Sequence, residues 1–137
     1  MSRSTRRTGS GPWGATFIPL DPSRILDTRF DTGLTGPFAT GVPRSFAVAG
    51  LVGVPATGTV GVVGNLTLVT GSLGGYAFIG PTAPANPTSS TINVPGADTR
   101  ANGIDVGLAN DGTLGGVWIS SPGSKANMIF DIVGYFR

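Results

Sequence analysis

The sequence predicts an all-β protein, a single β-sandwich or jelly-roll-like domain of about nine short antiparallel strands. Its 137 residues include 23 glycines and 11 prolines, which are spread between short runs of Val, Ile, Leu and Phe. Such runs are typical of short strands, and the Gly and Pro residues between them are typical of tight turns. No segment has a convincing helical period. The length suits one domain with a hydrophobic core of its own.

Nine segments are predicted as strands, from alternating apolar residues or from the turn residues that bound them. The strongest signal lies in 59–70, whose even-numbered apolar side chains are expected in the core. Segments rich in Gly and Pro, at 30–43, 50–58 and 80–87, are predicted as loops. The core side chains expected from 59–70 are Val60, Val62, Leu66 and Leu68. The predicted strands are 16–20, 24–29, 44–49, 59–70, 75–79, 89–94, 101–109, 114–120 and 126–136.

The turn at Asn110-Asp111-Gly112 gives one prediction about pairing. An Asp-Gly pair supplies the positive φ angles that a two-residue hairpin connection needs. We therefore expect the strand 101–109 to pair with the strand 114–120. The side chains expected to point inward are Ile104, Val106 and Leu108 from the first of these strands, and Met128, Phe130, Ile132 and Phe136 from the last strand of the chain.

Charged residues occur where alternation would bury them. Either face of the strand 24–29 includes a charged side chain, and Asp131 lies among apolar residues in the last strand. Burying a carboxylate is unfavourable unless it is paired or hydrogen-bonded. We therefore predict a polar clasp in which Asp27 and Asp131 accept hydrogen bonds from Arg24, Arg29 or backbone amides. The alternative is that these charges lie in turns at the strand ends.

The composition argues against catalysis. The chain contains no Cys, no His and no Glu, so acid–base chemistry would depend on seven Asp, one Lys and two Tyr. The commonest metal ligand and proton-transfer residue is therefore absent. The spacing of Asp21, Asp27 and Asp31 does not match a calcium-binding loop, and no Gly-rich segment has the ending of a phosphate-binding loop. We expect no enzyme activity, no cofactor and no metal site.

The first fifteen residues differ from the remainder, because they contain three arginines and no acid. We predict that 1–15 is a flexible, basic, extended N-terminal arm and that 16–137 is the β-sandwich domain. A large aromatic side chain in such an arm is a candidate anchor for a partner. Alternatively, the arginines only keep the arm solvated and the aromatic residue packs on its own domain. The candidate partner-binding residues are Arg3, Arg6, Arg7 and Trp13.

Two classes of partner are not expected from the sequence. Three arginines are too few for strong binding to nucleic acid phosphates. The chain has no run of 18 apolar residues and no apolar signal segment, so neither a membrane span nor export is expected.

A series of five motifs runs in order through the chain. The motifs are Pro22-Ser23-Arg24-Ile25-Leu26-Asp27-Thr28-Arg29, Asn65-Leu66-Thr67, Gly75-Tyr76, Ala101-Asn102 and Asp131-Ile132-Val133-Gly134-Tyr135-Phe136. This series resembles a small β-module that occurs, often in tandem, in surface and secreted proteins of actinobacteria and related bacteria. Similar modules resemble parts of virion proteins from phages of those hosts. The resemblance covers roughly residues 17–136 and implies a β-sandwich used for display, adhesion or assembly, without catalytic residues.

The chain departs from the secreted members in having one copy of the module, no signal peptide and a basic arm. These departures favour a bacteriophage structural protein of the virion, a capsid decoration or minor capsid protein that docks on the capsid shell and stabilises it. Its expected partner is the major capsid protein or another virion protein, and it is expected to form a homo-oligomer, with a trimer favoured. The weakly charged surface, with 12% charged residues, suits such stacking against neighbours.

The alternative function is a cell-envelope or glycan-binding β-module of an actinobacterial surface protein, located outside the cell. Sugar rings stack on aromatic side chains, and Tyr76, Trp118 and Tyr135 are the candidate stacking platforms. All three could equally belong to the core.

Overall fold

The computed structural model describes residues 14–137, and within this range it contains nine strands in two antiparallel sheets and no helix. The predicted all-β, sandwich-like fold class is therefore confirmed. The strands are β1 (Phe17–Asp27), β2 (Phe38–Ala39), β3 (Arg44–Ala47), β4 (Gly61–Thr70), β5 (Gly75–Gly80), β6 (Ile92–Val94), β7 (Thr99–Gly107), β8 (Thr113–Ile119) and β9 (Lys125–Phe136).

The first sheet has the order β1-β9-β4-β7, with the short β2 also paired to β9. The second sheet has the order β3-β8-β5-β6. One hydrophobic cluster fills the space between them, because β4, β8 and β9 each bury apolar side chains completely. The largest of these buried side chains are Trp118, Phe38, Phe130, Leu26, Leu66, Leu68, Leu114 and Met128.

Strand β4 follows the alternation that its sequence predicts. Val62, Leu66 and Leu68 are fully buried, as expected. The expectation for Val60 is wrong, because this residue precedes the strand and is 49% exposed.

Strand β9 contains a β-bulge, because Val63 lies opposite Gly134 while the next residue of β4, Gly64, lies opposite Ile132. The extra residue at Val133 reverses the alternation that follows it. Tyr135 is therefore buried in the core, and the expectation that Phe136 would share the core face is wrong. Phe136 is half-buried and packs against the ring of Phe17, with the ring centroids 5.5 Å apart.

The turn at Asn110-Asp111-Gly112 does not form the predicted hairpin. It is tight, with Gly112 at a φ of +81° and its N–H donating to the carbonyl of Ala109. However, β7 pairs with β4 along its whole length in the first sheet, while β8 belongs to the second sheet. The turn therefore crosses from one sheet to the other, and the side chains Ile104, Val106 and Leu108 are only partly buried at the margin of the core.

The first and last described segments of the chain lie side by side. The N–H of Thr16 donates to the carbonyl of Arg137 at 2.7 Å, and the N–H of Arg137 donates to the carbonyl of Thr16 at 3.0 Å. This pairing extends the ladder between β1 and β9 to the end of the sheet, where β7 also ends. The chain therefore enters and leaves the first sheet at one end.

Candidate functional site

The predicted clasp residues lie where β1 and β9 run side by side, with Arg24 opposite Asp131 in the register. The Nε of Arg24 donates to Oδ1 of Asp131 at 2.8 Å, and its Nη2 donates to Oδ2 at 3.1 Å. This is the two-pronged geometry in which a guanidinium group matches a carboxylate. The Arg24 side chain is 47% exposed, so this pair alone adds little to stability.

Asp27 is the buried member of the cluster, with 2% of its side chain exposed. The Arg29 side chain donates to both of its oxygens, at 3.0 Å and 2.8 Å, and the Arg29 backbone N–H donates to Oδ1 at 3.1 Å. Arg24 also reaches this carboxylate, through Nη1 at 3.2 Å. The hydrogen bonds from Arg29, together with the charges of both arginines, hold the pKa of Asp27 below its usual value. The structure thus brings Arg24, Asp27, Arg29 and Asp131 into one cluster.

The arrangement suits a structural role better than a catalytic one. Asp27 is ionised near neutral pH and its two oxygens accept four hydrogen bonds. The contacts with the carboxylates raise the pKa of Arg24 and of Arg29, so both guanidinium groups keep their protons. The cluster therefore connects β1 to β9 and to the turn that follows β1, without a group poised for proton transfer.

The clasp was predicted from a strict alternation of side chains between two faces in 24–29, and β1 does not have this alternation. The pairing of β1 with β9 shifts between Arg24 and Leu26, so that Ile25 is an extra residue. As a result the four residues 25–28 are all buried, and the expected alternation of faces is wrong. The buried hydroxyl of Thr28 makes two hydrogen bonds to β9. It donates to Oδ1 of Asn127 at 2.8 Å and accepts the N–H of Met128 at 3.0 Å.

The other predicted site residues are in the N-terminal segment. Arg3, Arg6, Arg7 and Trp13 lie outside the described residues 14–137.

The aromatic residues proposed as sugar platforms differ in their accessibility. Trp118 is fully buried, and its indole Nε1 donates to the hydroxyl of Ser124 at 3.2 Å. Tyr135 is buried in the same core. Neither ring can stack on a ligand from solvent, so the interpretation of these two residues as platforms is wrong. Tyr76 is partly exposed and remains available.

Tyr76 borders an open cavity of about 300 Å³, here called the Tyr76 hollow. Its other walls come from the loop before β6 and from β6 itself, and they are mainly hydroxyl and amide groups. The amide of Asn93 donates to the hydroxyl of Ser90 at 3.1 Å, which fixes its orientation. The lining residues are Tyr76, Pro87, Thr88, Ser89, Ser90 and Asn93.

A second surface feature, the edge of β7, was not expected, because β7 was predicted to have β8 as a neighbour. Just beyond the two ends of β7, the N–H of Leu108 donates to the carbonyl of Val60, and the carbonyl of Asp98 accepts the N–H of Thr70. In an antiparallel ladder of this register, the even-numbered residues of β7 bond to β4 and the odd-numbered residues direct their N–H and C=O groups away from it. The outer groups of Ala101, Gly103, Asp105 and Gly107 have no hydrogen-bond partner within residues 14–137.

An apolar groove of about 290 Å³ lies at the end of this edge and is here called the β7 groove. It is lined by Ala15, Val60, Asp105, Val106, Gly107 and Phe136. Asp105 is exposed, and its carboxylate has no ion pair or hydrogen bond within the described part of the chain. The groove thus combines an apolar floor with an unpaired negative charge.

Comparison of the sequence with models of known protein families gives no match, and comparison with curated proteins gives none either. Among residues 14–137, no three acidic side chains lie close enough together to hold a metal ion. That part of the chain also has no helix with the length and apolarity needed to cross a membrane.

Proposed function

We propose that this protein is a bacteriophage virion structural protein, a capsid decoration or minor capsid protein that docks on the shell and stabilises it. The observation that carries the proposal is the open edge of β7, whose outer backbone groups from Ala101 to Gly107 have no partner within residues 14–137. Monomeric proteins usually protect such edges, because an exposed edge pairs readily with another chain. An open strand edge suits a protein that functions by assembling with other chains.

The motif series and the absence of catalytic residue types favour binding as the mode of action. The sequence has no His, Cys or Glu, and the one buried carboxylate among residues 14–137, that of Asp27, is fully engaged by arginines. We infer that the protein is not an enzyme and that it acts by contact with other virion proteins, with the major capsid protein as the first candidate.

The turn after β3 supports a contact surface of this kind. Leu51 and Val52 lie at its tip and are 43% and 40% exposed. Val52 has a φ of +47°, a left-handed conformation that is unfavourable for a β-branched residue. Such strain is most often retained at sites that bind something. The turn therefore presents two apolar side chains in a fixed position, as docking on a shell would require.

Removal of Met1–Ala15 is expected to abolish binding to the shell without unfolding the domain. The test uses particles from cells that carry the gene, stripped of this protein with a mild chaotrope and then incubated with the purified full chain or the truncated chain. Cosedimentation measures rebinding, and light scattering after size exclusion gives the oligomeric state of both chains.

Two outcomes would count against this proposal. If the folded, truncated chain rebinds as well as the full chain, the N-terminal segment has no part in attachment. If neither chain rebinds and antibodies do not label the particles, the virion proposal itself fails.

The Tyr76 hollow supports a second candidate function, a glycan-binding module of the cell envelope. An aromatic ring beside hydroxyl and amide groups is a chemistry that suits a sugar, which needs an apolar face and several hydrogen-bond partners. In this case Tyr76→Ala should reduce retention on purified actinobacterial cell-wall glycan by about tenfold, the loss of one good stacking contact. Leu73→Ala, at an exposed residue outside the hollow, is the matched control. Equal retention of the two variants would exclude the hollow as a sugar site.

A further inference from the structure

Within residues 14–137 the edge of β7 is open from Ala101 to Gly107, whereas the N–H of Thr99 donates to Oδ1 of Asp98. Of the features that protect sheet edges, β7 has only charged side chains, those of Arg100 and Asp105. Its pairing with β4 has no register shift, it contains no Pro, and three of its residues are Gly or Ala at odd positions facing outward. A Cβ added at Gly103 would meet nothing within 4 Å. The edge on the other side of the same sheet, formed by β1, is interrupted by two register shifts and by Pro19 and Pro22. The two edges of this sheet are therefore not equivalent.

We propose that β7 is the acceptor edge for residues 1–13 of a neighbouring copy of this protein, which add to the sheet as an antiparallel strand. The recognition chemistry is backbone hydrogen bonding along the edge, completed by an Arg–Asp pair at Asp105. This inference goes beyond the proposed function and does not depend on it, because a cell-envelope module could exchange the same segment.

The length and charge of the N-terminal segment fit this edge. Thirteen residues in extended form span about 43 Å, whereas the nine residues of β7 need about 30 Å. The segment holds three of the nine basic residues and no acid, and the remaining residues hold six basic and seven acidic ones. A basic strand is therefore placed against a weakly acidic domain, at an edge where the carboxylate of Asp105 has no ion pair among residues 14–137.

One register satisfies both the hydrogen bonds and the side chains. If Arg7 lies opposite Asp105, then Gly9 lies opposite Gly103 and Trp13 lies opposite Thr99, at the far end of the strand. Residues 5, 7, 9 and 11 of the segment then bond to the free outer groups of residues 107, 105, 103 and 101 of β7. Pro12 falls at an even position, where its missing N–H would point away from the sheet. A Pro at that position is compatible with an edge strand and protects the new edge from further addition.

The direction of the chain favours a neighbouring copy as the donor. Thr16 is bonded to Arg137 at the end of the sheet where Gly107 also lies. Residues 1–13 of the same chain would therefore run beside β7 in the same direction, as a parallel strand. All strand pairs of this sheet are antiparallel, and parallel pairing is slightly less stable per residue. A neighbouring copy can supply the antiparallel strand.

Disulfide crosslinking tests the donor and the register together, because the protein has no Cys of its own. Two full-length variants, Gly9→Cys and Gly103→Cys, are mixed and gently oxidised without capsid shells. Residues facing each other in a hydrogen-bonded antiparallel pair have Cα atoms about 5.5 Å apart, within the range of a disulfide. We expect a crosslinked dimer containing one chain of each variant, and no such product when Val133→Cys, an exposed position on β9, replaces Gly103→Cys.

Each other product would overturn the proposal. A crosslink of Gly103→Cys with itself would mean that two β7 edges pair directly. An intrachain disulfide in the doubly substituted chain at high dilution would mean that the segment folds back on its own domain. Absence of any crosslink, with both variants folded, would mean that the edge does not take this strand.

The charge pair gives an independent readout of the same register. Asp105→Arg should reduce the yield of the mixed crosslink by roughly threefold or more, since it places like charges opposite each other at an exposed edge. Combining it with Arg7→Asp in the Gly9→Cys chain should restore the yield. Failure of this rescue, with crosslinking otherwise unchanged, would remove Arg7 and Asp105 from the interface.

Discussion

Replacement of Trp118 with alanine is expected to destabilise the fold by about 3–5 kcal/mol, the range for removing a large buried aromatic side chain. Trp118 is fully buried in the core between the sheets, and its indole N–H bonds to the hydroxyl of Ser124. The substitution leaves a cavity and removes this buried hydrogen bond. Because small domains are stable by only about 5–15 kcal/mol, a large part of the native stability would be lost. Urea denaturation followed by circular dichroism measures the change.

Phe30→Ala is the matched control for Trp118→Ala, because it removes an aromatic ring that is 73% exposed. Its midpoint of unfolding should stay close to that of the original protein, since the ring of Phe30 is mostly in solvent and the guanidinium of Arg29 lies over one face of it. Equal shifts for the two variants would contradict the position of Trp118 in the core. The comparison also matters for any sugar-binding assay, because a loss of binding in Trp118→Ala would report unfolding.

Asp27→Asn is expected to reduce the free energy of unfolding by about 2 kcal/mol, near the middle of the range for hydrogen bonds to charged groups. The substitution keeps the shape of the side chain and removes the charge that Arg29 and Arg24 face. The cost stays below that of breaking a fully buried ion pair, because both arginines are partly exposed and can be solvated. Asp98→Asn, which alters an exposed pair with Arg100, is the control and should leave stability nearly unchanged.

The pH dependence of stability provides a second readout for Asp27. Its pKa is lower in the folded protein than in the unfolded chain, so the unfolded chain binds a proton more readily as the pH falls. The stability from Asp27 is therefore fully present above the unfolded pKa of about 4 and is lost as the pH falls through the folded pKa. Asp27→Asn should flatten the acid limb of a plot of unfolding free energy against pH. An unchanged acid limb would show that Asp27 is not the carboxylate responsible.

The sequence predicts the chemical part of the clasp well because burying charge is costly whatever the fold. A buried Asp27 needs hydrogen-bond donors, from arginines or backbone amides, and arginines are available two and three residues away. The contact between Arg24 and Asp131 joins residues 107 positions apart, and the matching motifs at the two ends of the domain pointed to it. The geometry of the cluster could not be predicted, because the bulge at Ile25 follows from the pairing with β9 and not from local sequence.

The strand that pairs with β7, in contrast, could not be predicted from the sequence. Asn110-Asp111-Gly112 does form a tight turn, but only Gly112 of the Asp-Gly pair has the positive φ expected of a two-residue hairpin connection. Whether the strands on either side of a turn share a sheet depends on competition among distant strands, and β4 pairs with β7 along its full length. The open edge is a consequence of that competition, and no pattern within 99–107 could reveal it.

The adjacency of Thr16 and Arg137 has a practical consequence for the use of this domain as a carrier. A cargo fused after Arg137 would emerge at the same pole as the N-terminal segment and beside the β7 groove, where it would obstruct an incoming strand. A peptide inserted at Gly71–Gly74, the turn between β4 and β5, would emerge at the opposite pole, because β4 runs from the pole of Gly61 to the pole of Thr70. That pole is also where Thr99 lies, opposite Trp13 in the proposed register, so an insertion there would meet a donor copy as it approaches. Neither pole of the first sheet is therefore neutral ground for a fused or inserted peptide if the proposed strand exchange occurs.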